Sequence, residues 1–243
     1  MDCLLLRFDA PLMSFGSVVV DQINPTWRFP GKSMLTGLLG NALGWDHRDT
    51  DRLQALQDRL RFAARWDAEP VLIQDYQTAD LGQDFLVDTG WTTRGVVVGR
   101  KGDVDRVIRE TGHYTNIRLR DYWANGVMTV ALTVTGEESP TLDALEAALR
   151  TPARPLFIGR KPCLPATPLL LGRREAPGVK AALTAEPLAD IGPRRRPKAI
   201  PALWPMDEGA GENTEERYDR RDWANNIHRG SRRYAVGLLE LTV

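Results

Sequence analysis

Apolar positions along the first part of the chain recur with two different periods, and the change of period marks out the elements. Cys3 to Phe8 is an apolar run of strand length. From Leu35 the spacing turns helical: Leu35, Leu38, Leu39, Ala42 and Leu43 fall at i, i+3, i+4, i+7 and i+8, one stripe that packs on a sheet. Ser33 stands where an N-cap belongs and Gly44 where a left-handed C-cap belongs. Gly37 and Gly40 each cost roughly 1 kcal/mol relative to alanine in a helix interior, so a backbone, a ligand or plain packing lies against that face.

Between the first strand and this helix, Ala10 to Gly16 reads as a turn, and Trp27 and Phe29 lie in an extended, proline-bounded segment. A second helical pattern starts at Asp51, with Leu53, Leu56 and Leu60 on one face, and leads into a strand over Arg61–Trp66. Val71–Ile73 predicts a short strand ending at Asp75-Tyr76. From Thr78 to Tyr122 the pattern dissolves into glycines, charges and short β-prone pieces, which predicts a protruding hairpin or thumb at about 78–122.

Met128 to Val134 is the clearest strand, β-branched and apolar. Ser139-Pro140 opens a helix that carries Leu142, Leu145, Ala148 and Leu149 on one face and stops at Pro152, and Leu156–Ile158 returns as a strand. Strand, helix, strand, insertion, strand, helix, strand is a split βαβ arrangement. The expected fold is therefore α+β, a ferredoxin-like or RNA-recognition βαββαβ domain over residues 1–172. Past Gly172 proline, glycine and arginine are frequent, Ile191 to Pro205 looks largely irregular, and Arg232 to Val243 alternates as a final strand. A smaller C-terminal lobe is expected over 173–243.

Composition narrows the class. A chain of 243 residues buries a full core, and 42% hydrophobic with 26% charged residues is ordinary for a globular protein. No run reaches the roughly 18 apolar residues of a membrane span, and the Cys3-Leu-Leu-Leu run is too short and too close to Asp2, Arg7 and Asp9 for a secretory signal. The expected place is the cytoplasm, with no membrane partner. Cys3 and Cys163 are far apart and lack histidines at ligand spacing, so no disulfide framework, metal site or cofactor is expected.

The net charge is zero, with 32 basic and 32 acidic residues, but the distribution is uneven. Between Asp46 and Asp88 ten acidic residues face five arginines; between Arg154 and Lys198 ten basic residues face three acids. Such a chain fits phosphates on one face and protein on another, with solvated surface charge as the plain alternative. Arg28, Lys32 and the first-turn N–H groups of the opening helix make a natural anion site. Gly31-Lys32-Ser33 matches the end of a P-loop, but that pattern needs glycine five residues before Gly31, where Thr26 stands.

At this point several segments carry a likeness. Ala10-Pro-Leu-Met-Ser14-Phe-Gly16 after a first strand, Arg28-Phe-Pro30 leading to Lys32-Ser33 and a Leu-Leu-Gly helix, and Leu156-Phe-Ile-Gly-Arg160-Lys161-Pro-Cys163 before Pro168-Leu-Leu-Leu-Gly172 together resemble the CasD family of type I-E CRISPR surveillance complexes, Cascade. Asp75-Tyr-Gln-Thr78 and His113-Tyr-Thr115 look like that family as well, and the likeness covers most of residues 1–172. The resemblance implies a ferredoxin-like fold of the RAMP class. It implies a subunit that holds the crRNA 5′ handle, caps the backbone-subunit filament and contacts the large PAM-reading subunit, with target DNA met only indirectly. It also implies a thumb that displaces a guide nucleotide at the start of the spacer.

RNA held in a fixed shape needs cations for phosphates, backbone N–H groups and aromatic faces for splayed bases. The candidates are Arg28 and Lys32 beside Trp27, Arg160 and Lys161 on the later loop, and Arg94, Arg100 and Lys101 beside Trp91 on the thumb. Ser14 and Ser33 are hydroxyl donors, and His113 matches a family histidine. The rival is a metal-independent endoribonuclease that processes pre-crRNA, in which a base activates a ribose 2′-hydroxyl. His113 is its best base, but Gly112 stands where a lysine would complete the cleaving constellation, so no catalytic residue is assigned.

Overall fold

The computed structural model describes residues 1–19, 22–80, 90–91, 97–98, 115–190, 192 and 199–240. Strands β1 (Asp2–Asp9), β2 (Leu12–Met13) and β3 (Ile23–Asn24) precede helices α1 (Lys32–Ala42) and α2 (Thr50–Arg59). Then come β4 (Leu60–Ala68), β5 (Val71–Asp80), β6 (Gly90–Trp91), β7 (Val97–Val98), β8 (Thr115–Ala124) and β9 (Val127–Val134). After α3 (Leu142–Arg150) follow β10 (Leu170–Glu175), α4 (Val179–Ala185), β11 (Ala199–Pro205), β12 (Asn213–Arg217), β13 (Arg221–Asp222), β14 (Ile227–His228) and β15 (Arg232–Glu240). The protein is thus mixed α+β with largely antiparallel sheets.

Two compact units divide the chain: Met1–Gly16, Thr26–Leu72 and Trp123–Val243 form one, and Ser17–Pro25 with Ile73–Tyr122 the other. In the second unit β3 runs parallel to β8, with Ile23 opposite Leu119, and Gln74 donates to Asp121 at 3.0 Å. β5 also pairs with β8.

The first unit is built on a seven-stranded sheet in the order β10-β1-β9-β4-β11-β15-β12. Within it β1, β4, β9 and β10 stand as fourth, first, third, second, each antiparallel to its neighbour. Successive side chains of a strand point to opposite faces. Cys3 and Leu5 of β1 join the core under α4 with Val179, Ala182 and Leu183, while Leu4, Leu6 and Phe8 are equally buried on the other side. A strand covered on both faces loses its alternation, which explains the unbroken apolar run at the start of the chain. Fully burying each such leucine contributes roughly 1.5–3 kcal/mol. Both cysteines are free and buried.

Two sequence expectations fail here. Leu156–Ile158 is not a strand: it lies in a loop, with the Ile158 N–H bonded to the Cys163 carbonyl at 2.7 Å, and the fourth strand of the motif is β10. Three apolar residues next to Gly159, whose φ is +92°, are too few to hold a place in the ladder. Nor is Ile191–Pro205 irregular throughout, because β11 pairs with β15 over all seven of its residues and buries Ile200, Ala202, Leu203 and Trp204. β11, β15 and β12 extend the same sheet beyond β4.

A buried ion pair fastens α4 and the loop after it to this sheet. Arg65 and Asp67 on β4 are bonded at 2.8 Å, and neither side chain is exposed. Arg65 also donates to the carbonyls of Leu183, Glu186 (2.7 Å) and Pro187 (3.0 Å), and Asp67 accepts from Thr129 (2.7 Å) and the Ala189 N–H (2.9 Å). Removing Asp67 leaves the Arg65 charge buried with carbonyl acceptors but, among the described residues, no carboxylate. Asp67→Ala should therefore cost about 3–5 kcal/mol in urea unfolding, and a loss below about 1 kcal/mol would show that the pair contributes little.

Candidate functional site

The chain enters α1 through Trp27–Ser33, and distant groups hold its four carbonyls from Trp27 to Pro30 and its N–H groups at Trp27, Lys32 and Ser33. The Trp27 carbonyl accepts from the indole N–H of Trp123 (2.7 Å) and the Arg28 carbonyl from that of Trp66 (3.1 Å). The Phe29 and Pro30 carbonyls accept from one guanidinium nitrogen of Arg217, at 2.8 and 3.3 Å. The Lys32 N–H donates to the Asp219 carboxylate (2.8 Å) and the Ser33 N–H to the Asp219 carbonyl (3.1 Å).

The expected helix start is corrected by these contacts. α1 begins at Lys32, its N-cap is Gly31, and no side chain of its own caps it. The serine is displaced as cap because the Asp219 carboxylate already neutralises the first turn from outside. A Cβ at Gly31 would stand 3.1 Å from that of Asp219, so this position favours glycine. The helix end matches expectation: Gly44 at φ +77° and Trp45 bond back to the Asn41 and Gly40 carbonyls at 3.1 and 2.9 Å, the two bonds of a Schellman motif. A Cβ on Gly40 would meet Leu53 of α2 at 2.7 Å, so helix packing accounts for that glycine.

Lys32 is not a surface cation. It is 2% exposed, its ammonium donates to the Asp58 carbonyl at 3.3 Å, and burial, reinforced by Arg232, pulls its pKa from 10.5 down to about 7. Ser14 is buried as well, and Ser33 is half-buried. Trp27 is half-buried beneath the Arg217 guanidinium, 5.3 Å from its ring centre. Arg28 is exposed and paired with exposed Glu69. Such a surface pair is worth at most about 1 kcal/mol, so a phosphate can displace the carboxylate.

The other loop meets this segment through Ser14–Gly16. The Ser14 N–H donates to the Ile158 carbonyl (3.3 Å), the Phe15 N–H to the Thr26 hydroxyl (2.8 Å), and the Trp27 N–H to the Gly16 carbonyl (2.8 Å). A Cβ at Gly159 would lie 1.5 Å from the Ser14 carbonyl oxygen, so only glycine lets the loop approach this closely. Half-buried Arg160 and exposed Lys161 follow at once. The structure therefore brings Ser14, Trp27, Arg28, Arg160 and Lys161 onto segments that are bonded to one another.

Of the thumb candidates, Arg94, Arg100, Lys101 and His113 lie outside the described residues, and Trp91 is described only as a backbone position in β6. Among the described residues of the basic stretch 154–198, four cations are engaged in structural contacts. Arg154 donates to the Trp45 carbonyl, Arg173 pairs with Asp2 and Asp143, Arg174 with Glu186, and Lys180 lies 4.0 Å from the Trp204 ring centre. Sequence reasoning missed Arg217 and Asp219. Their signal was present as a charged pair on a late strand end, but nothing local ties them to α1 nearly two hundred residues earlier. Tyr234 donates to Asp219 at 3.1 Å, and burial followed by that carboxylate raises the pKa of its phenol.

Lys32 gives the site a pH signature. Its pKa is about 7 in the folded chain and 10.5 when free, so between these values the unfolded chain binds more protons and stability rises with pH. The urea midpoint should climb between pH 7 and about 8.5, below the range where Cys3, pushed up to about 11 by burial, acts with the opposite sign. Lys32→Met should be more stable at pH 7 and lose the climb. A climb kept in the variant would assign it to another group.

The family described as "CRISPR-associated protein (Cas_Cas5)" matches residues 3–235 of this chain. The Escherichia coli (strain K12) protein "CRISPR system Cascade subunit CasD" is 33% identical over 186 residues, covering 76% of this chain and 77% of that protein. Among solved structures, a chain of a "CRISPR RNA-guided surveillance complex" is similar in fold, with a TM-score of 0.69 at 24% identity, covering 98% of this chain and 90% of that one. "Crystal structure of Cas protein" is similar with a TM-score of 0.59 at 25% identity, covering 98% and 94%.

Proposed function

The chain belongs to the CRISPR-associated Cas5 family, and from that premise we propose that it is a non-catalytic crRNA-binding subunit of a type I-E Cascade complex. It holds the 5′ handle of the crRNA and caps the filament of backbone subunits. The observation that carries the RNA reading is the joining of Trp27–Arg28 and Gly159–Lys161 through Ser14–Gly16, which sets exposed cations on a backbone already fixed from within. Preorganised cations beside an aromatic ring are what a single strand of fixed shape requires. The order fourth, first, third, second in an antiparallel βαββαβ sheet supports the ferredoxin-like RAMP fold.

Arg28, Arg160 and Lys161 take phosphates in this reading, with Trp27 against a base. Ser14 and Lys32, being buried, act as supports of the platform. Trp91, Arg94, Arg100, Lys101 and His113 belong to the thumb side of the handle. Exposed apolar side chains at Val71, Leu72 and Leu164 suit contacts with the backbone and large subunits.

The test is a titration of the purified chain with end-labelled repeat RNA in chelator at several salt concentrations. Arg28→Ala and Lys161→Ala should each weaken retention and lower the slope of log affinity against log salt by about one, while Lys32→Met leaves the slope unchanged. Unchanged slopes in the first two variants would remove this placement. A specific cut product lost in His113→Ala would replace the holding role with the processing enzyme.

A further inference from the structure

We propose that the cleft between α2 and the β13–β14 hairpin is an anion site for a phosphate group, carried by a nucleic-acid strand or by a small phosphorylated molecule. It does not rest on the handle reading. The cleft has a volume of about 500 Å³, and Arg220, Arg221 and Arg229 line it from the hairpin, opposite Thr50 and Gln54 of α2. The segment Arg217–Arg233 holds six arginines and two aspartates, a basic run in a chain of zero net charge.

The walls are fixed. Buried Gln57 exchanges two hydrogen bonds with the backbone of Arg221, at 2.8 and 3.0 Å, and the Arg229 N–H closes the hairpin on the Arg220 carbonyl at 2.8 Å. Neighbouring carboxylates are already engaged. Asp58 holds Arg220 (2.9 Å) and Gln54 (3.1 Å), and Asp222 accepts from the N–H and the side-chain amide of Asn225 at 3.0 and 2.9 Å.

Arg221 is the exception. Its guanidinium lies 4.9 Å from the Trp223 ring centre and bonds the Asn226 amide oxygen, but no carboxylate stands within 4.0 Å of it among the described residues. Its Nε is buried without an acceptor, and burial lowers its pKa. A partly buried cation without a counter-charge is costly, and a phosphate supplies both the charge and acceptors that match the guanidinium fork. Arg229, 79% exposed and 3.8 Å from Asp222, is placed to close over the same anion. Exposed Asp51, also in the lining, opposes it.

The experiment is calorimetric titration of the full chain with pyrophosphate at low salt, alone and in competition with a ten-nucleotide poly-dT strand. The wild type should bind pyrophosphate. The double variant R221Q/R229Q should bind at least about tenfold more weakly with its thermal unfolding unchanged. Asp51→Asn should bind more tightly, a gain that misfolding cannot imitate, and Arg150→Gln, an exposed cation of α3 outside the cleft lining, should bind like the wild type. Competition by the strand assigns the site to a polynucleotide, and its absence assigns it to a small phosphorylated ligand. No binding by the wild type, or equal affinity in the wild type, the double variant and Asp51→Asn, overturns the proposal.

Discussion

Everything at the candidate interface depends on the clamp that Arg217 and Asp219 place on the entry to α1. One guanidinium nitrogen holds two successive carbonyls, and one aspartate holds the Lys32 and Ser33 N–H groups through its carboxylate and its own carbonyl. The carboxylate sits where the helix dipole most favours an anion, a contact worth roughly 0.5–2 kcal/mol. The same contact removes that helix end from the reach of phosphates. What remains for a ligand is the outward side of the segment, where Trp27 and Arg28 are presented by a backbone that Trp66 and Trp123 grip from below. Phe15 and Phe29 complete the floor, 6.1 and 6.5 Å from the Trp66 ring.

Such rigidity has a functional logic. Binding a single strand costs conformational entropy on both sides, and a platform already ordered without its ligand leaves only the strand to be ordered. In the proposed reading a phosphate replaces Glu69, the weak exposed partner of Arg28, at little cost. Buried charges, by contrast, serve architecture. Arg65 and Asp67 join α4 and its following loop to β4, and the pairing of β11 with β4 continues the sheet of the first half of the chain into the second.

Local patterns were readable wherever they are self-contained. The stripe from Leu35 to Leu43, the Gly44 stop and the strand at Met128–Val134 each depend on neighbours in sequence, and each is found as read. The Ser33 cap and the Lys32 phosphate contact were read from the same local logic, yet both gave way to Asp219 and to burial, which no window of sequence around α1 contains. β10 is masked in the sequence because only Leu170 and Leu171 of its six residues are apolar, the rest being Gly172, Arg173, Arg174 and Glu175. β11 was hidden by Pro201 and Pro205, whose usual meaning as breakers is overridden by the pairing with β15. Of the candidate interface, Arg28, Arg160 and Lys161 are legible as basic residues, but only Gly159 against Ser14 explains why their two loops meet.

The most direct measurement is photo-crosslinking of 4-thiouridine-substituted repeat RNA to the intact chain, followed by identification of the linked peptides. The account predicts links within residues 14–16, 27–28 and 159–161, and none at Lys32. Links confined to the acidic stretch 46–69, or links that include Lys32, would contradict it.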